Sequence, residues 1–179
     1  MKKIILSLMG LFVVISALSI VSATPQTWKS IDLVQKDPSD WSVVDGATGK
    51  ITMNDQLTTR WFPCYKYNGR TVSCIKTIWL GFVSGSAVNL EPKTKYTLVY
   101  YGDSENNDVW NHVTCIKTAK TNNKGKVTFG KTKFDRIHEF FTDDLEQKFW
   151  IVPSEDLDCK NNVFLDWNPE NYLFEQKTI

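Results

Sequence analysis

The chain has 179 residues, 42% of them hydrophobic and 23% charged, with 21 basic and 20 acidic side chains. Leaving out Lys2 and Lys3, which lie in a segment with the form of an export signal, 19 basic residues face 20 acidic ones, a net charge of −1. A balance so close to neutral argues against a nucleic-acid or anionic-membrane partner, since both draw on concentrated Lys and Arg.

In chain order, Lys2 and Lys3 give a basic start, residues 4–21 an apolar stretch, and Val21-Ser22-Ala23 a small-residue cleavage point. The stretch is close to bilayer-spanning length, so a retained anchor is the alternative. The polar Thr24-Pro25-Gln26-Thr27 that follows favours cleavage. No cysteine follows Ala23 for lipid attachment, and the C-terminal residues 175–179 are polar. The expected organisation is a signal peptide over 1–23 and a single secreted β-sandwich domain over 24–179. It is extracellular or cell-surface, with no membrane span after cleavage. A domain of this size buries about two-thirds of its unfolded-chain surface.

The apolar periodicity beyond residue 40 is mainly two. Trp41-Ser42-Val43-Val44 leads through Asp45-Gly46 and Thr48-Gly49 into Lys50-Ile51-Thr52-Met53, a predicted first hairpin. Residues 58–67 and 71–83 flank Asn68-Gly69 as a second, with Gly81 a bend or bulge in an overlong strand. Tyr96-Thr97-Leu98-Val99-Tyr100-Tyr101 is rich in β-formers. Residues 113–117, 126–129, 148–152 and 172–175 bring the set to eight to ten strands. Phe134, Ile137, Phe141 and Leu145 instead sit at helical spacing, which allows one short helix near 134–146. The fold class is all-β in the main, an antiparallel β-sandwich.

Four cysteines, Cys64, Cys74, Cys115 and Cys159, read as two disulfides with three connectivities open. Sequential pairing is preferred because Cys64 and Cys74 flank the Asn68-Gly69 turn. A two-residue loop there sets Cys64 opposite Ser73 and turns Cys74 to the other face of the ribbon. Joining the pair therefore requires a longer turn or a bulge, which Pro63 would favour. No cysteine pair has zinc-knuckle spacing, and His112 and His138 are the only imidazoles.

Leu90-Glu91-Pro92-Lys93-Thr94-Lys95-Tyr96 resembles the tyrosine corner of fibronectin type III and immunoglobulin-like sandwiches, in which a Tyr hydroxyl turns back to the upstream backbone. The resemblance implies a fold that is immunoglobulin-like in part, with its topology open. Three further stretches carry a wider likeness: Lys36-Asp37-Pro38-Ser39-Asp40-Trp41-Ser42-Val43-Val44-Asp45-Gly46, Phe149-Trp150-Ile151-Val152-Pro153-Ser154, and Trp167-Asn168-Pro169-Glu170-Asn171-Tyr172-Leu173-Phe174-Glu175. With the corner running into Tyr100-Tyr101, they resemble a group of uncharacterised exported single-domain β-rich proteins of archaea and some bacteria. That resemblance implies an exported β-rich fold and no particular activity. Members of the group commonly carry glycine near the position of Lys93, and many lack some of these cysteines, so no shared disulfide role follows.

No catalytic constellation stands out. Ser84 and Ser86 lie in Gly81-Phe82-Val83-Ser84-Gly85-Ser86, whose spacing departs from a nucleophile elbow and reads as a turn between strands. Asp103, Glu105 and Asp108 offer oxygen ligands for calcium, against the ordinary reading of a solvated polar loop; no other cofactor is indicated. Of seven tryptophans, Trp41, Trp79 and Trp150 sit in strand patterns where burial is the default, whereas Trp61, Trp110 and Trp167 lie near turns and are candidates for an exposed ligand platform. The functional expectation is a non-catalytic extracellular binding or interaction domain, its partner a protein or a glycan. A carbohydrate-binding module using exposed tryptophans is the first alternative, and a small secreted hydrolase using His112 or His138 the second.

Overall fold

The computed structural model describes residues 26–102, 112–134 and 148–176. The expected signal segment, most of the expected helix and the 103–108 loop lie outside the described residues. Ten strands are described: β1 (Gln26–Lys36), β2 (Val43–Tyr67), β3 (Arg70–Val88), β4 (Lys95–Gly102), β5 (His112–Lys120), β6 (Val127–Lys133), β7 (Lys148–Pro153), β8 (Leu157–Asp158), β9 (Val163–Phe164) and β10 (Phe174–Glu175). They form a five-stranded sheet in the order β10-β1-β2-β3-β6, a three-stranded sheet in the order β5-β4-β7, and the short ribbon β8-β9, with antiparallel pairing throughout. The protein is a mainly β fold of a form compatible with a sandwich.

The first hairpin differs from the expected one. β2 runs unbroken through Asp45-Gly46 and Thr48-Gly49, and its partner is β1, with Lys36 opposite Val43. The reversal falls at residues 37–42, where the Asp37 carboxylate accepts the Ser39 N–H and Oγ–H and the Asp40 carboxylate accepts the Ser42 N–H. Side-chain acceptors two residues upstream make turns as firmly as glycine does. Ser84-Gly85-Ser86 likewise lies within β3, so it is strand and not turn, and the irregularity expected at Gly81 falls between Val83 and Gly85 in the pairing with β6.

Alternation sets the core between the two sheets. Leu33, Ile51, Met53, Val83, Ala87 and Phe129 of the larger sheet meet Leu98, Tyr100, Phe149 and Ile151 of the smaller one. The smaller sheet is covered on its other face too, where Val99, Val113, Trp150 and Val152 pack under Leu157, Tyr172 and Phe174. Residues 154–174 form this cover, tied down by the Cys115–Cys159 disulfide. β4 and β7 are consequently buried along nearly their whole length. Thr97, fully buried, is bonded to the Thr118 hydroxyl at 2.9 Å and to the Ser154 hydroxyl at 2.8 Å. A mutual backbone pair between Ile151 and Leu173 holds the returning chain on β7 before it crosses to β1 as β10.

The tyrosine corner is formed. Tyr96 is buried, its hydroxyl accepts the Glu91 N–H at 3.3 Å, and Leu90 enters the core. Thr121 locks the corner, its hydroxyl donating to the Glu91 carbonyl at 2.7 Å and accepting the Thr94 N–H at 2.9 Å. Lys93 takes a positive φ of 60° in the turn, a conformation that costs a residue with a Cβ about 1–2 kcal/mol. Lys93→Gly is therefore expected to raise stability by about 0.5–1 kcal/mol, the strain relief less the entropy glycine loses on folding. A urea titration of both proteins, with an unchanged m-value, would check this.

Candidate functional site

Among the described residues, β1 pairs with β2 as far as Gln26 opposite Gln56, and β6 pairs with β3 as far as Lys133 opposite Phe82. From Leu57 opposite Trp79 to Tyr67 opposite Arg70, β2 and β3 pair with each other alone among the described strands. Eleven residues of β2 at about 3.3 Å each make a two-stranded arm about 35 Å long. Its tip is the predicted two-residue loop, with Asn68 at φ 47° and Gly69 at φ 75°, the left-handed pair that the twist of a tight hairpin requires.

The disulfide of the arm solves the register conflict seen in the sequence. Pro63 stands opposite Ser73 and Tyr65 opposite Val72, so the ladder shifts at Cys64. That bulge puts one extra residue into β2 and brings Cys64 to Cys74, with the two Cα atoms 5.7 Å apart. The pairing in the molecule is thus sequential, Cys64 with Cys74 and Cys115 with Cys159. Two such bonds fit an oxidising compartment.

The arm is chemically one-sided. Residues 56–90 contain no Asp or Glu, and all four of their cations, Arg60, Lys66, Arg70 and Lys76, lie in the arm. Lys66, Arg70 and Lys76 are exposed. Arg60 takes its backbone place opposite Lys76 in the ladder. Trp61, Phe62, Tyr65, Tyr67 and Trp79 share the stretch, with Tyr65 59% and Ile75 60% exposed.

A second surface is aromatic. Trp150, at the centre of the cover over the smaller sheet, stacks on Tyr101 at 4.4 Å and meets Phe174 edge-on at 5.1 Å. Trp41 packs edge-on against Phe174, and Trp167 lies 5.9 Å from Trp150 and edge-on to Phe164 and Tyr172. Trp41 and Trp167 remain about half exposed at the margins of this cluster. Trp41 thereby departs from the burial expected of it, because it sits in the 37–42 turn at φ 60° and not in a strand. Tyr172 is fully buried, its hydroxyl accepting the Asn168 N–H and donating to the Asp166 carbonyl, and burial pushes its pKa well above the usual tyrosine value.

The third feature is a cleft of about 220 Å³ beside the tyrosine corner, lined by Gln35, Asn89, Glu91, Tyr96, Glu155 and Asn171 among others. Its lining holds neither histidine nor serine. Gln35 bridges it, donating to the Glu170 carbonyl and accepting the Ala47 N–H.

Of the residues singled out by sequence, Trp167 stands at the aromatic cluster. Trp61 takes its backbone place in the arm opposite Ile75, and His112 opens β5 opposite Gly102; their side chains lie outside the described set. Trp110, Asp103, Glu105, Asp108 and His138 also lie outside it. The described residues contain no cluster of three or more His, Cys, Asp or Glu suited to a metal. No described helix is long and apolar enough to cross a membrane. The arm's charge was legible in the acid-free run 56–90, yet the balanced whole-chain charge hid it.

A buried charge near the sheet seam gives a pH signature. Glu175 is 4% exposed, and its carboxylate accepts the Phe149 N–H at 2.8 Å. Burial raises its pKa above the ordinary 4.5, against the pull of that bond and of Lys148, Lys29 and Lys36. Burial and Lys148 in turn lower the pKa of Lys36, against the pull of Glu175. A carboxyl whose folded pKa is raised adds stability below its unfolded value and loses it as pH rises through the folded value. Glu175→Gln keeps an acceptor for Phe149 and removes the titration. Its stability relative to the native protein is therefore expected to climb from pH 4.5 to pH 7.5, read from paired urea titrations; an unchanging difference would contradict it.

The chain matches no model of a known protein family, no curated protein and no solved structure.

Proposed function

We propose that the protein is a secreted, non-catalytic binding domain of the cell exterior, and that the 57–79 arm is its binding element. The observation that carries this reading is a disulfide-stapled hairpin that, among the described strands, extends past both partner strands, exposes Tyr65 and Ile75 and carries cations with no carboxylate in its own stretch. No described side chain of the arm belongs to either core cluster, and ordering the arm has an entropic cost that a partner would offset. The disulfides and the signal-like N-terminus support work outside the cytoplasm.

The test shortens the arm. Deleting residues 59–65 and 72–77 joins the Thr58–Ile78 pair directly to the Lys66–Thr71 pair, keeps the alternation of faces, and removes the bulge with its disulfide. Oxidised native and shortened proteins are offered to a panel of purified polysaccharides and to envelope fractions, with calcium and with chelator. Saturable binding lost on shortening, with the circular dichroism of the sandwich kept, is the expected result. Binding that survives shortening would move the function elsewhere.

The carbohydrate alternative has its own observation, the half-exposed Trp41 and Trp167 on one aromatic cluster. It would be favoured by polysaccharide binding that Trp41→Ala and Trp167→Ala abolish and shortening leaves intact. The hydrolase alternative has no observation in its favour.

A further inference from the structure

We infer that the arm's partner is the interface of a lipid bilayer carrying anionic headgroups. The inference rests on the reading of the arm as the binding element and adds the chemistry of what it binds.

Two properties of the arm must be met at once. Its four cations have no carboxylate among residues 56–90 to neutralise them, and the Arg60–Lys76 pairing holds two of them in one cross-strand position. An anionic surface would attract them. Interleaved with the cations are Tyr65 and Ile75, each about 60% exposed, together with the further aromatic residues Trp61, Phe62, Tyr67 and Trp79. A soluble polyanion would satisfy the charges and leave Tyr65 and Ile75 in water. The register sets Tyr65 with Arg70 and Lys76 on one face of the ribbon and Ile75 with Lys66 on the other. Either face therefore offers a bilayer interface both an apolar side chain and a cation, and phosphate lies beside hydrocarbon there at the depth that Tyr and Trp favour.

Depth follows from the backbone. A two-stranded ribbon has unpaired N–H and C=O groups on both outer edges, and these cannot enter hydrocarbon. The arm therefore lies among headgroups and does not span. The net charge of the whole chain does not oppose this. Electrostatic fields fade within about 8–10 Å at moderate salt, whereas the arm extends about 35 Å. A surface along which the arm lies senses its four cations and not the average over the chain.

The test is sedimentation of the full oxidised chain with phosphatidylcholine vesicles and with vesicles containing one quarter phosphatidylglycerol, alongside soluble dextran sulfate. The native chain is expected to favour the anionic vesicles by about tenfold or more at low salt. The variant Arg60→Gln/Lys66→Gln/Arg70→Gln/Lys76→Gln should bring that ratio near one. Residues 4–21 are common to all proteins and cancel in the ratio. A second variant, Tyr65→Thr/Ile75→Thr, keeps the charges and strand-forming residues; it should lower binding to anionic vesicles about tenfold, and the loss should persist in high salt. Mass spectrometry confirms that Cys64–Cys74 is intact in each. A ratio unmoved by the charge variant overturns the inference. Arm-dependent binding to dextran sulfate without binding to vesicles also overturns it, while leaving the arm as the binding element. Binding to envelope polysaccharide that arm-shortening abolishes, with no vesicle binding, has the same meaning.

Discussion

Gly125→Ala is expected to lower stability by at least about 3 kcal/mol, enough to move the thermal midpoint down by about 6–12 °C. Gly125 ends the 122–125 turn at φ +68°, and its carbonyl accepts the Leu90 N–H at 3.0 Å. A Cβ there would fall on the Leu90 carbonyl oxygen, with the Leu90 carbonyl carbon at 3.0 Å and nitrogen at 3.1 Å. All three are backbone atoms, so no side-chain rotation gives room. Leu90 is also the core anchor of the tyrosine corner, and moving its backbone would disturb Tyr96 and Thr121 together. Gly69→Ala is the control: Gly69 has φ +75° but nothing within 4 Å of its Cβ position. It incurs the strain without the collision, at the tip of an arm that opens on its own, and should leave the global midpoint almost unmoved. Similar losses at both positions would show that strain alone, and not the packing of the corner, sets the cost.

Breaking Cys115–Cys159 by replacing both residues with alanine is expected to cost about 3–4 kcal/mol. The bond closes a segment with a sequence separation of 44, for which loop-closure entropy gives about 4 kcal/mol as a ceiling. It also fastens the 154–174 cover to β5 at the cluster that buries Tyr172 and Phe174. Cys64–Cys74 spans a separation of 10 and acts on the arm, whose opening is local. Its removal should shift the global urea midpoint by less than about 0.5 kcal/mol while removing amide-exchange protection from 57–79. Denaturant titration and hydrogen exchange on both double variants separate the two. Equal global losses would mean that arm and sandwich unfold as one unit.

The all-β character, the strand pattern around Tyr96–Tyr101, the Asn68-Gly69 turn and the need for a longer turn or a bulge to join Cys64 and Cys74 were present in the sequence, because alternation, turn chemistry and cross-strand register are local rules. Three-dimensional placement decided the rest. Residues 154–174 cover the second face of the smaller sheet, so β4 is buried on both sides, and no periodicity distinguishes a covering segment from a loop. β1 pairs with β2 through a turn made by Asp37 and Asp40, not by glycine. That residues 57–79 pair only with one another among the described strands follows from the register of β1 and β6. Sequence thus fixes which residues alternate and where the chain can reverse; which faces are covered, and which strands pair beside one another, depends on contacts between segments far apart in the chain.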